Sequence, residues 1–336
     1  VYDTIYIETQ VAGHPISERI ISHYSKANLV YCDRFGEIFN RRSQDFRFQK
    51  RHPSLILAHK HSGHVLEAPD GYGVGGVKNY YFSVMLNCLY DCRYCFLQGM
   101  YRSANHVVFV NYEDFAAGMK ARLQDHRDDE EVWFFSGYDC DSLAMEPILG
   151  FGEYFVNLAE SEPNLWLELR TKSTQIRSLM ARDPVDNVVV AFSFTPKNIS
   201  ANLEHRVPAV KKRIAAMVQL QRRGWKVGIR LDPLIYETDY TVQYRNLLAE
   251  IFTELDSGKL HSASIGVFRL PKTFYRNLEK LYPDDSFVAQ PFHDRDGQFS
   301  YPDSIEQEMK NWCYEEMARY MESEKIFWCS TEVKQQ

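Results

Sequence analysis

The chain has 336 residues, of which 45% are hydrophobic and 25% charged, and its formal charge is −6. These values exclude a disordered or fibrous protein and leave room for one large domain or two small ones. No apolar run approaches the ~20 residues of a membrane span, and the acidic balance excludes a wholly basic nucleic-acid binder, though not a local basic patch.

Along the chain, the opening VYDTIYIETQ has neither the basic nor the apolar region of a signal peptide. Residues 1–78 are expected to form an N-terminal extension without sustained strand–helix alternation. They contain a short helix around ISERIISHY and a basic run of Arg41, Arg42, Arg47, Lys50 and Arg51 interleaved with Phe46 and Phe48. That run reads either as phosphate and stacking contacts or as a surface turn with two core phenylalanines. DGYGVGG (70–76) follows no strand and opens no clear helix, which argues against a phosphate loop. The four histidines of RHPSLILAHKHSGH (51–64) read as a loop.

From residue 79 the rhythm changes. Six runs rich in Val, Ile, Phe, Tyr and Trp predict strands at 80–86, 131–137, 165–171, 188–194, 226–232 and 263–268. Helical patterns are expected at 111–124, 148–161, 174–183, 207–224, 242–255 and 272–282, with Gly224 closing the fourth. Alternation of this kind means right-handed βαβ units and a parallel sheet. Six units suit an open (β/α)6 partial barrel or a doubly wound sheet. The expected organisation is therefore 1–78, an α/β unit over 79–283, and a C-terminal extension over 284–336 ending in one helix at 304–323.

Seven cysteines, an odd number, argue for a reducing, cytoplasmic setting rather than a disulfide framework. Cys313 and Cys329, each beside a tryptophan, read as packing residues. Cys88, Cys92 and Cys95 form C-x3-C-x2-C just after the first barrel strand, where α/β folds place active sites. Three thiolates suit three irons of a [4Fe–4S] cluster and leave the fourth iron open. A zinc site with a distant fourth ligand, or three crowded structural cysteines, are the alternatives.

This motif, with Tyr94 and Phe96 around the third cysteine, resembles that of the radical SAM superfamily. The resemblance implies a partial TIM barrel and S-adenosylmethionine (SAM) on the open iron. It also implies one-electron cleavage of SAM to a 5′-deoxyadenosyl radical. Further segments, in the same order, resemble the spore photoproduct lyase family: CRYCFLQ, CDSLAMEP (140–147), LRTK (169–172), FSF (192–194), 212–236 and 269–283. By that resemblance Lys172 and Ser193 contact SAM, and Asp141, Cys140 and Phe96 line its pocket. The activity implied is direct reversal of a thymine photolesion in DNA, with an electron donor such as flavodoxin or ferredoxin. Other substrates (RNA, a peptide, a small metabolite) or a non-catalytic Fe–S protein remain alternatives.

The hydrogen relay departs from the family. Its hydrogen-returning cysteine falls at Tyr138, Cys140 stands where the family has serine, and a second relay tyrosine is replaced by Phe96. Tyr138, Cys140 and Tyr94 are thus the candidate hydrogen donors. Arg269 and Lys272, after the sixth strand, are candidates for the substrate. The cations Lys211, Lys212, Arg213, Arg222 and Arg223 are candidates for DNA contact, with a solvated helix face as the commoner reading of such charges. The acids of HDRDGQFSYP (293–302) weigh against strong DNA binding.

Overall fold

Runs of β-branched and aromatic residues, six to nine long and buried on both faces, leave no solvated side and so must lie in the middle of a covered sheet. The computed structural model, which describes residues 2–329, has such a sheet of eight strands. Their spatial order is Ile326–Trp328, Leu260–Val267, Lys226–Leu234, Val188–Ser193, Leu165–Thr171, Val132–Ser136, Lys78–Tyr81 and Leu66–Glu67. All neighbours pair in parallel except the last two. From Lys78 to Val267, spatial order follows chain order. That is the singly wound, curled half-barrel, not a doubly wound sheet. Helices Phe151–Ser161, Val210–Arg223 and Tyr240–Glu254 cover its outside. Gly224, at φ 106°, ends the second of these as expected.

The first predicted strand divides. Lys78–Tyr81 belongs to the half-barrel, whereas Met85–Leu86 pairs antiparallel with His106–Phe109 in a second sheet. The N-terminal reading also needs correction. Thr4–Glu8, Asn28–Cys32 and Leu55–Ala58 form parallel strands that join His106–Phe109 and Met85–Leu86 in a five-stranded sheet. They escape a periodicity reading because they are only four or five residues long and Asn28–Cys32 is exposed along most of its length. The helix expected at 111–124, observed at Tyr112–Leu123, leads out of this second sheet. The one expected at 174–183 shrinks to Arg177–Met180. After residue 283 the chain adds a hairpin, His293–Arg295 with Gln298–Ser300, then helix Asp303–Met317 and the parallel strand Ile326–Trp328, rather than one helix alone. The end of the 284–336 extension, beyond Cys329, lies outside the described residues. No helix among the described residues is long and apolar enough to cross a membrane.

The interior of the half-barrel holds a buried column of charges beside an apolar cluster that includes Trp133, Phe135 and Val189. Glu168 and Arg230, both 0% exposed, pair at 2.5 Å, and Arg170 Nε reaches Glu168 at 3.0 Å. Burial works against the Glu168 carboxylate, but Arg230 and Arg170 reverse this and hold it down at about 2. Two glycines make room for the charged column. A Cβ on Gly228 would lie 2.9 Å from the Arg230 guanidinium, and one on Gly266 would lie 2.5 Å from the Asp232 carboxylate.

Candidate functional site

Parallel strands deliver their C-terminal ends to one rim, so residues just past those ends converge although far apart in sequence. Here Gly137, Arg170 to Lys172, Ser193, Asp232 and Arg269 meet the cysteine loop around a cavity of about 320 Å³. Cys88, Cys92, Cys95, Tyr94, Phe96, Tyr138, Cys140 and Asp141 line the same space. Lys272 does not. It is exposed on the rim and pairs with Asp294 of the hairpin at 2.5 Å, which removes it from the set the sequence brought together.

The cysteine loop is fixed at both ends. Asn87, at φ 65°, starts it in the left-handed region and donates to the Ser103 and Asn105 carbonyls at 2.8 Å each. Gln98 closes it, donating to the Cys92 carbonyl at 2.9 Å and to Asp91 at 2.8 Å. Asp91–Cys92 also pairs with Glu204–His205. Burial pushes all three thiols up, Cys92 to about 12. Among the described residues no three His, Cys, Asp or Glu side chains converge as a single metal ion requires. Three thiols spread around one cavity instead fit a cluster, which takes one thiolate per iron.

Lys172 enters the site from the end of strand Leu165–Thr171. Its Nζ lies 2.6 Å from the Tyr94 hydroxyl, 3.1 Å from Glu204 and 4.0 Å from Cys92 Sγ. The Tyr94 hydroxyl donates to Glu204 Oε1. Arg213 and Ser200 each reach Glu204 Oε2 at 2.7 Å, and Arg213 also donates to the Ser193 carbonyl at 2.8 Å. Burial disfavours the Glu204 carboxylate, but Lys172 and Arg213 hold it down at about 2. Arg213, read as part of a solvated face, is in fact wholly buried in this network. Asp141 spends both oxygens on the rim. It accepts from the Leu143 and Ala144 amides at 3.0 and 2.9 Å, from Thr171 Oγ1 at 2.7 Å and from the Lys172 amide at 2.6 Å. Its carboxylate therefore shapes the turn that carries its neighbours.

Tyr138 and Cys140 lie past the end of strand Val132–Ser136, in a turn opened by Gly137 at φ 82°. Both line the cavity. A Cβ on Gly137 would lie 2.7 Å from Ser142 Oγ and 2.8 Å from the Arg170 carbonyl, so the turn needs glycine. The Tyr138 ring packs on Tyr81 at 4.6 Å and Phe96 at 5.3 Å. Burial pushes its phenol up to about 12 and raises the Cys140 thiol. Both keep an O–H or S–H hydrogen.

Several residues of the site escaped the sequence reading. Arg170 stacks over Tyr72 of the glycine-rich loop, its guanidinium carbon 5.0 Å from the ring centre. Asp232 pairs with Arg269 at 3.5 Å, and Cys329, read as a packing residue, accepts from Arg269 at 3.2 Å. The available signal was Glu168 and Arg170, two charges two apart in an otherwise apolar strand, which mark one polar face.

Compared by sequence with curated proteins, the chain matches none. Among solved structures it is similar to spore photoproduct lyase complexed with dinucleoside spore photoproduct, with 16% identity, 98% of each chain covered and a TM-score of 0.80. It is equally similar to a spore photoproduct lyase variant with bound AdoMet and dinucleoside spore photoproduct, with 15% identity, 98% of each chain covered and a TM-score of 0.81. At these identities the likeness establishes the fold. The model of the family described as spore photoproduct lyase matches residues 76–329, more than half of the chain. The matched segment begins just before the first parallel strand of the half-barrel and ends just after its last, and the chain belongs to the spore photoproduct lyase family of radical SAM enzymes.

Proposed function

We propose that this chain reverses a spore-photoproduct-type thymine lesion in DNA as a radical SAM lyase. The observation that carries the reading is one cavity lined by the three-thiol loop, Lys172, Ser193, and the hydrogen-bearing pair Tyr138 and Cys140. When bound, the [4Fe–4S] cluster and SAM supply a 5′-deoxyadenosyl radical. Cys88, Cys92 and Cys95 hold the cluster. Lys172, with its charge, and Ser193, with its hydroxyl, bind SAM beside it. Phe96 and Tyr138 form an aromatic wall that excludes water from the radical. Tyr138 or Cys140 would return a hydrogen atom to the fragmented lesion, and the phenoxyl or thiyl radical left behind would regain a hydrogen from 5′-deoxyadenosine or an electron and a proton from the external donor. Arg170 and Arg269 face the same space with guanidinium groups suited to the lesion's carbonyl oxygens.

A flavodoxin or ferredoxin in the cytoplasm is the electron source in this reading. The test is anaerobic reconstitution with iron and sulfide, followed by dinucleoside spore photoproduct, SAM and a chemical reductant. Repaired dithymidine is the expected product. Release of 5′-deoxyadenosine without repair overturns the choice of substrate.

A further inference from the structure

Helix Phe46–Arg51 has two faces with different chemistry. Inward, Phe46 is buried, Gln49 accepts from Ser103 Oγ and the Ala104 amide, and Lys50 lines the cavity while pairing with Asp91 at 3.4 Å. Outward, Arg47 and Phe48 are exposed, as is Arg51 about one helical turn further on, with exposed Arg41 and Arg42 leading into them. Phe48 is 54% exposed, and its ring lies 5.1 Å from that of exposed His52, at an angle of 36°. Of the two sequence alternatives for this run, one phenylalanine takes the core and the other takes solvent.

The charges here differ from those elsewhere around the cavity. Lys272 is neutralised by Asp294, Arg269 faces Asp232, Arg276 pairs with Glu279, and Arg295 lies between Asp303 and Glu306. Arg42, Arg47 and Arg51 form no ion pair among the described residues, and Arg41 donates only to the Glu37 carbonyl, at 2.9 Å. On a chain of charge −6, four such guanidiniums beside an exposed ring match the demands of a polyanion with stackable bases. The patch is continuous with the site. Lys50 is on the next face of the same helix, and Arg47 is near enough to the Tyr282 phenol to be felt there. That phenol donates to Gln98 at 3.2 Å, on the cavity wall.

We propose that the Arg47–Phe48–Arg51 face, with Arg41 and Arg42, docks the DNA strand flanking the lesion. Phosphates lie on the guanidiniums and one unpaired base stacks on Phe48, while the lesion enters the cavity past Lys50. This docking rests on the functional reading above. A lesion inside a duplex must be extruded to react, which frees neighbouring nucleotides for such contacts.

The test uses the reconstituted holoenzyme and a labelled single-stranded thymidine oligonucleotide of about 12 nucleotides with a central spore photoproduct, a length within a typical single-strand site. Binding is followed by anisotropy across a salt series. Arg47→Ala/Arg51→Ala should bind about tenfold more weakly, and the salt slope should fall by about 1.4, the value for two lost phosphate contacts. Phe48→Ala should weaken binding by about tenfold without changing that slope. Lys211→Ala/Lys212→Ala removes the same charge from a distant exposed helix face and should change neither. If the Arg47/Arg51 variant binds like wild type, or loses no more than the Lys211/Lys212 control, the docking surface is wrong. Dinucleoside lesion is too short to span the helix, so the Arg47/Arg51 variant should repair it at the wild-type rate. Failure of the wild type to repair it overturns the lyase reading alone, and the binding series still decides the surface.

Discussion

Tyr138 and Phe96 lie against one another at the cavity wall, with ring centres 5.3 Å apart. Phe96 has no hydrogen to pass on, so a relay in this direction ends at the Tyr138 hydroxyl. Repair in D2O should place deuterium in the product, because phenol and thiol hydrogens exchange with solvent. Tyr138→Phe should lower repair at least about tenfold and reduce the deuterium incorporated, while SAM cleavage continues. Cys140→Ala should have the smaller effect. The reverse order would assign the transfer to Cys140.

Cys88→Ala removes one of three thiols from the loop. The variant should lose the iron–sulfur absorbance after reconstitution and all SAM cleavage. Retention of four irons with undiminished cleavage would contradict the ligand assignment.

Lys172 stands between Cys92 and Glu204. Lys172→Ala should weaken SAM binding by calorimetry about tenfold or more, the scale of one charge-assisted contact, while iron content stays near wild type. Unchanged SAM affinity would leave the lysine a purely structural role. Glu204→Gln acts differently. It leaves Arg213 and Lys172 in the interior without their counter-charge and should cost about 3–5 kcal/mol in stability.

Glu168 sets an acid limb of stability. Its carboxyl titrates at about 2 in the folded chain against an ordinary 4.5. The stabilisation it contributes is therefore full above pH 4.5 and is lost as the pH falls toward 2. Glu168→Gln should flatten that part of the pH–stability curve, and at neutral pH it should lower stability by about 3–5 kcal/mol because Arg230 stays buried and unpaired. Denaturant titration at several pH values measures both effects.

The half-barrel was legible because its strands are long, apolar and separated by helices whose periodicity is clear. The five-stranded sheet was not. It assembles His106–Phe109 between Leu55–Ala58 and Met85–Leu86, segments up to about fifty residues apart, and no local pattern reports such pairing. The cysteine triplet was legible because its spacing is itself the chemistry. Arg170 and Asp232 were marked only by a charged neighbour two residues before, Glu168 and Arg230, which signals a polar face but not what it meets across the barrel, and Glu204 had no such mark. Lys272 had the right position in sequence, but its ion pair with Asp294 of the hairpin could not be seen from residues 269–283 alone.

The chain leaves the half-barrel at Phe82, whose amide bonds to Phe135, and reaches the second sheet at Val84, whose carbonyl accepts from Phe109. Cys88 follows four residues later. The thiol loop is thus hung across the seam between two independently wound sheets, and its anchors at Ser103 and Asn105 belong to the approach of the second one. A chain with only one sheet formed offers no fixed loop to iron. The cluster site is thus a product of both sheets together and of neither alone.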